Sequence, residues 1–179
     1  MFLSPTVPRR LAEVSESLGQ QLSCLEPAYF KSISLQRAIA TFPKPAVDLL
    51  RQMGQWIEGK HKSIRVDLKV YDLKAGDFTC IPGWHIDTVT NPRHDSRPEN
   101  HLIYTNVYGT DFVTTPIAFS EEKSHFSQVI AEIPEDNYLT ATPNSIYQYG
   151  RFHLHRGAQV ATDCRRVLVR ITETDIIGK

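Results

Sequence analysis

From Ser63 to Leu73 the chain reads SIRVDLKVYDL, an alternation that sets Val66, Leu68 and Val70 on one side and Asp67, Lys69 and Tyr71 on the other. A period of two is the mark of a β-strand with one face in a core. On a helix the same three aliphatics would scatter around the circumference. The texture recurs in HLIYTNVYG, SIYQYGRFHLH and RRVLVRIT, with Gly, Pro, Asn and Asp between the runs. No helical stretch separates them, which argues against a doubly wound α/β fold. Many short alternating strands predict a sandwich or barrel.

The first sixty residues carry a different pattern. In SPTVPRRLAEVSESLGQQL, Leu11, Val14 and Leu18 fall at helical intervals behind a candidate cap at Ser4 or Thr6. In KPAVDLLRQMGQWIEG, Val47, Leu50, Met53 and Ile57 do the same, with Gly59 as a stop. At 179 residues the chain suits one domain over 1–179. It is expected to divide into a helical N-terminal cover over 1–62 and a β core over 63–173.

Twenty basic residues balance twenty acidic ones, so no global field draws the chain to nucleic acid, although a local basic groove stays possible. No apolar run is long enough to span a bilayer, and the N-terminus lacks the order of a signal peptide. Cys24, Cys80 and Cys164 form no pair motif and read as buried thiols. A cytoplasmic location is therefore the expectation, with no membrane partner.

The chemistry-bearing residues begin at GWHIDT, Gly83–Thr88. On a strand, His85 and Asp87 share one face and can hold one ion. A second imidazole from elsewhere would complete the facial triad of a non-haem Fe(II) oxygenase, which leaves positions open for cosubstrate and oxygen. The segment YGRFHLHRG offers His153 and His155, and strand parity does not separate them. Ten residues past His155 comes Arg165, on the same face as Val167, Val169 and Ile171. A guanidinium at the end of an apolar face needs a partner, and its planar fork matches a carboxylate. If the strand is turned over, Arg166, Leu168 and Arg170 face inward instead.

His85-x-Asp87, a downstream histidine and an arginine ten residues beyond His155 together resemble the Fe(II)/2-oxoglutarate-dependent oxygenase superfamily. The resemblance runs from about residue 64 to 172. It implies a mainly β fold, a double-stranded β-helix (jelly roll, cupin-like), with the N-terminal helices packed against one sheet. It further implies His85, Asp87 and His155 as iron ligands and Arg165 as the anchor of the 2-oxoglutarate far carboxylate. Tyr104 is similar in position to a tyrosine that touches the cosubstrate in some members, and Tyr108 fits nearly as well.

The implied activity is a non-haem Fe(II), 2-oxoglutarate-dependent dioxygenase that hydroxylates a small molecule or a peptide side chain. Trp84, Arg93, His94 and Arg97 flank the proximal pair and are candidates for reading the substrate. Two other readings use the same residues. One is a jelly-roll metal-binding or sensing module without turnover. The other is zinc hydrolysis, which three ligands and a water would allow but which leaves the arginine without a role. A nucleic-acid substrate is disfavoured by the neutral charge.

Overall fold

The computed structural model describes residues 7–80, 83–86, 99–115 and 133–175, together with the backbone of the two-residue strands at 2–3 and 117–118. The protein is mainly β, with antiparallel pairing and three short α-helices among the described residues. The strands are β1 (Phe2–Leu3), β2 (Arg9–Glu13), β3 (Ala28–Ser34), β4 (Ser63–Leu73), β5 (Glu99–Thr105), β6 (Thr110–Val113), β7 (Ile117–Ala118), β8 (Tyr138–Thr140), β9 (Ser145–Gly150), β10 (His155–Gly157) and β11 (Cys164–Thr174). The helices are α1 (Glu16–Ser23), α2 (Leu35–Thr41) and α3 (Lys44–Met53).

Six strands form one sheet in the order β2-β9-β5-β11-β4-β3, and three form a second in the order β10-β6-β8. At the centre of the large sheet, β11 pairs with β4 along its full length, from Cys164 opposite Leu73 to Thr174 opposite Ser63. Its other edge pairs with β5, which places Val169 opposite Tyr104 and Arg170 opposite Ile103.

Alternation along these strands makes two cores. Val66, Leu68, Val70, Leu102, Tyr104, Val167, Val169 and Ile171 point to the side covered by the helices, where Leu22, Leu49, Leu50 and Met53 meet them. The opposite side, with Ile103, Tyr147, Tyr149 and Leu168, packs on Phe112 and Ala141 from the small sheet and its flank. Burying a whole Leu or Val side chain contributes about 1.5–3 kcal/mol, so the helix-covered side supplies most of the drive. A third cluster of Trp84, Ile86, Val113 and Leu154 closes the outer face of the small sheet.

The N-terminal segment departs from the expected all-helical cover. It contributes β2 and β3, the two edges of the large sheet, as well as the helices. Leu11, Val14 and Leu18 do share one core, but Leu11 lies in a strand, Val14 in the link after it and Leu18 in a helix capped by Ser15. In β3 a bulge between Phe30 and Ile33 carries Ser32 at φ 55°, and the Ser32 amide donates to the Asp67 carboxylate at 2.6 Å. The bulge sets Phe30 and Ile33 three residues apart on one face, a spacing that imitates a helix. α3 ends at Met53 and one 3₁₀ turn carries the chain to Trp56, short of Gly59.

The cysteines also differ from expectation. Cys24 and Cys80 are exposed and Cys164 is half-buried, with burial pushing its thiol above the ordinary value. Among the described residues no helix is long and apolar enough to cross a membrane.

Candidate metal and anion site

Gly83 has φ +88°, a backbone conformation that strains any side chain, and it turns the chain into Trp84–Ile86. Trp84 and Ile86 are buried in the outer cluster, so His85 between them faces the other way. His85 lies directly opposite His155, and the amide of each donates to the carbonyl of the other at 2.8 Å. Opposed residues of an antiparallel pair project to the same face. The two imidazole centroids stand 4.5 Å apart with the rings tilted by 57°.

Each ring is anchored at one nitrogen. His85 Nδ1 is 3.0 Å from the Gly83 carbonyl and His155 Nδ1 is 2.9 Å from the His153 carbonyl. A carbonyl only accepts, so in the neutral imidazole Nδ1 carries the proton and Nε2 keeps the lone pair. That tautomer binds a divalent metal through Nε2, and the carbonyl partner fixes the ring's orientation. Phe112 and Tyr149 pack against the His155 ring with centroids 5.7 and 5.5 Å away.

Both histidines line a cavity of about 410 Å³ that also includes Ile103, Thr110, Tyr149 and Leu168. Arg166 enters the same cavity and is only 1% exposed. Its Nη1 donates to the Tyr71 hydroxyl at 2.9 Å and to the Thr79 carbonyl at 3.2 Å, and its Nε has no hydrogen-bond partner. Tyr71 in turn donates to the Thr79 carbonyl at 2.7 Å. Among the described residues no carboxylate comes within ion-pair distance of this guanidinium. A buried cation held only by neutral acceptors is costly and calls for an anion. Arg170, by contrast, is matched by Asp67, with its Nη2 2.6 Å from Oδ2.

The backbone around Thr79 is packed tightly against β10. A Cβ on Gly157 would lie 2.6 Å from both the Cys80 amide nitrogen and the Thr79 hydroxyl. Glycine there lets the 79–80 segment approach closely enough to present its carbonyl to Arg166.

Arg165 is not in this cavity. It lies on the helix-covered side of β11, where its Nε and Nη2 donate to the Asp72 carboxylate at 2.8 and 3.0 Å and its Nη1 donates to the Leu25 carbonyl. The pairing holds the Asp72 carboxyl below the usual carboxylate range and raises Arg165. The physical reason is the helical layer, which takes Val167, Val169 and Ile171 and so turns Arg166, Leu168 and Arg170 to the cavity.

Tyr104 is corrected on the same ground. It is fully buried in the helix-side core, where burial pushes its hydroxyl far up the scale and the group donates to Asn144 Oδ1 at 2.8 Å. Tyr108 lies outside the cavity too, its hydroxyl taken by Ala161 and Thr162. His153 precedes β10 rather than belonging to it, and its Nδ1 lies 2.9 Å from the Gly150 amide nitrogen and 3.1 Å from the Gly150 carbonyl, so His155 is the histidine that faces His85.

Asp87, Arg93, His94 and Arg97 lie outside the described residues. Among the described residues no group of three His, Cys, Asp or Glu side chains is placed to hold a metal ion. The donor set present, two Nδ1-anchored imidazoles, fits two positions of a divalent metal site. Trp84 is buried under the Arg156 guanidinium, 4.5 Å from its ring centroid, and does not reach the cavity.

Sequence reasoning passed over Tyr71, Lys69, Lys31 and Phe78, all of which line the cavity. Tyr71 and Lys69 sit on the polar side of the alternating Ser63–Leu73 run, which reads as a solvated face. The one available signal was that two arginines share the corresponding side of β11. Comparison with protein-family models, with curated proteins and with solved structures finds no match in any of the three.

Proposed function

We propose that this protein is a non-haem Fe(II), 2-oxoglutarate-dependent oxygenase that hydroxylates a small molecule or a peptide side chain. One observation carries the reading. Two Nδ1-anchored imidazoles and a buried arginine with no counter-ion among the described residues converge on one cavity. A metal site alone would account for the histidines but not for the guanidinium, so this pairing favours the oxygenase over a simple metal-binding module.

In this reading His85 and His155 hold the metal through Nε2, and Asp87 is the carboxylate that the sequence pattern offers as third ligand. Arg166, rather than Arg165, receives the far carboxylate of 2-oxoglutarate, with Tyr71 and the Thr79 carbonyl holding the fork in place. Ferrous ion and 2-oxoglutarate, when bound, supply the oxidation: one atom of O₂ goes to succinate with release of CO₂, and the other enters a substrate C–H bond as hydroxyl. The chain itself orients and encloses. Phe112, Tyr149, Ile103 and Leu168 wall the reacting region with apolar surface, which strengthens the arginine–carboxylate contact. The two packed sheets with the cavity between them are read as a double-stranded β-helix.

The test is anaerobic thermal denaturation of the full chain with Fe(II) and 2-oxoglutarate, each alone and together, followed by succinate measurement in air. The expected result is a rise in Tm that needs both, and succinate formation that His85→Ala abolishes. A metal-dependent rise with no further effect of 2-oxoglutarate would point instead to the binding module.

A further inference from the structure

The chain is balanced at twenty basic and twenty acidic residues, yet the described lining of the cavity is not. Lys31, Lys69, Arg166 and Arg170 face it, with no Asp or Glu among the lining residues. Asp67 neutralises Arg170, and Arg166 is taken by the far carboxylate in the reading above, on which this inference rests. Lys31 and Lys69 remain. Among the described residues neither has a carboxylate in ion-pair reach, and the Lys69 ammonium lies 5.7 Å from the Tyr29 ring centroid.

Tyr29 and Phe78 line the same cavity and are 66% and 43% exposed, two of the five large hydrophobic side chains left open to solvent among the described residues. Exposed rings at a cavity mouth hold apolar surface at low entropic cost. Two uncompensated ammonium groups beside two open rings make an amphipathic rim. Its complement is a ligand with an apolar body and an anionic group.

We infer that the substrate is a small organic acid with a flat apolar body, its carboxylate or phosphate held by Lys31 and Lys69 and its body held against Tyr29 and Phe78. Lys31 is on the edge strand β3 and Lys69 on its neighbour β4, and the anion they hold is separate from the one on Arg166. The cavity volume of about 410 Å³ leaves room beyond a five-carbon cosubstrate for a single-ring compound.

The experiment is anaerobic calorimetric titration of the full chain, with Mn(II) and saturating 2-oxoglutarate present, using phenylacetate, phenyl phosphate and the neutral phenylacetamide. The acids are expected to bind, and the amide to bind at least about tenfold more weakly, the loss of one charge-assisted contact. The preferred acid tells carboxylate from phosphate. In Lys31→Ala/Lys69→Ala acid binding falls at least about tenfold, while 2-oxoglutarate binding and Tm stay as in the parent. Phe78→Ala weakens acid and amide alike. Equal binding of acid and amide, undiminished binding in the double variant, or no binding of any probe would overturn the inference. Loss of 2-oxoglutarate binding in the parent would instead fault the oxygenase reading, and lysine-dependent acid binding would still be readable without it.

Discussion

His85 and His155 exchange backbone hydrogen bonds of 2.8 Å in both directions and bring their rings to a centroid separation of 4.5 Å. That bridge joins residues seventy positions apart in the chain. The ring spacing is therefore set by backbone pairing and not by rotamer choice alone. Replacing either imidazole by alanine should lower Mn(II) affinity by more than about a hundredfold, beyond the loss usual for an outer partner. His153→Ala should leave the affinity within about tenfold, because what His153 offers the His155 ring is its backbone carbonyl, which alanine keeps. Anaerobic titration monitored by electron paramagnetic resonance measures both.

Arg166 offers a test in which binding and stability move in opposite directions. Arg166→Leu should reduce 2-oxoglutarate affinity by roughly a hundredfold, the scale of a charge-assisted bidentate contact. The same change removes a buried cation that has no counter-ion among the described residues, so the ligand-free protein should keep or gain Tm. Arg165→Gln should not change 2-oxoglutarate affinity, since its partner is Asp72 on the other side of the sheet. Calorimetry and thermal denaturation of the two variants distinguish the arginines.

Tyr104→Phe removes the donor to Asn144 Oδ1 from a fully buried site. The expected cost is about 1–2 kcal/mol of stability, read by urea denaturation, with 2-oxoglutarate affinity unchanged. An equal loss of cosubstrate binding would restore Tyr104 to the site.

Gly157→Ala would push a methyl group into the Thr79–Cys80 segment. Overpacking of this kind costs about 1–3 kcal/mol. Because the displaced Thr79 carbonyl accepts from Arg166, the variant should also bind 2-oxoglutarate more weakly. A stability loss with intact affinity would separate the backbone contact from the arginine's placement.

The Lys74–Asp163 pair sets two pH edges. Asp163 is held below its ordinary value of 3.8 by Lys74 and the Ala75 amide, so its contribution is present above 3.8 and fades as pH falls through the lower folded-state value. Lys74 is raised above 10.5 chiefly by Asp163, so its contribution is present below 10.5 and fades as pH rises through the higher value. Both groups are exposed, so the effect is small and screened by salt. Denaturation of Asp163→Asn against the parent should show the two curves converging at both acid and alkaline extremes.

The β architecture was legible because Ser63–Leu73 and Cys164–Thr174 alternate over their whole length. Which face of β11 meets the cavity was not, since a period of two gives two faces and no label. The label came from α1 and α3, whose Leu22, Leu49 and Leu50 claim the aliphatic side. His85 and His155 stood out as histidines in strand-like runs, but that they lie opposite each other across a bridge was not legible, since pairing between distant segments leaves no mark on local alternation. The strand Ala28–Ser34 was hidden by its bulge, and with it Lys31 and Tyr29. Lys69 was hidden by the reading of a polar strand face as solvent-facing.

An anaerobic crystal structure of the protein with Mn(II) and 2-oxoglutarate tests the central claim most directly. The expected density places the metal on Nε2 of His85 and His155 and the far carboxylate on the Arg166 guanidinium. A metal bound elsewhere, or a carboxylate on the Arg165 side of β11, would contradict it.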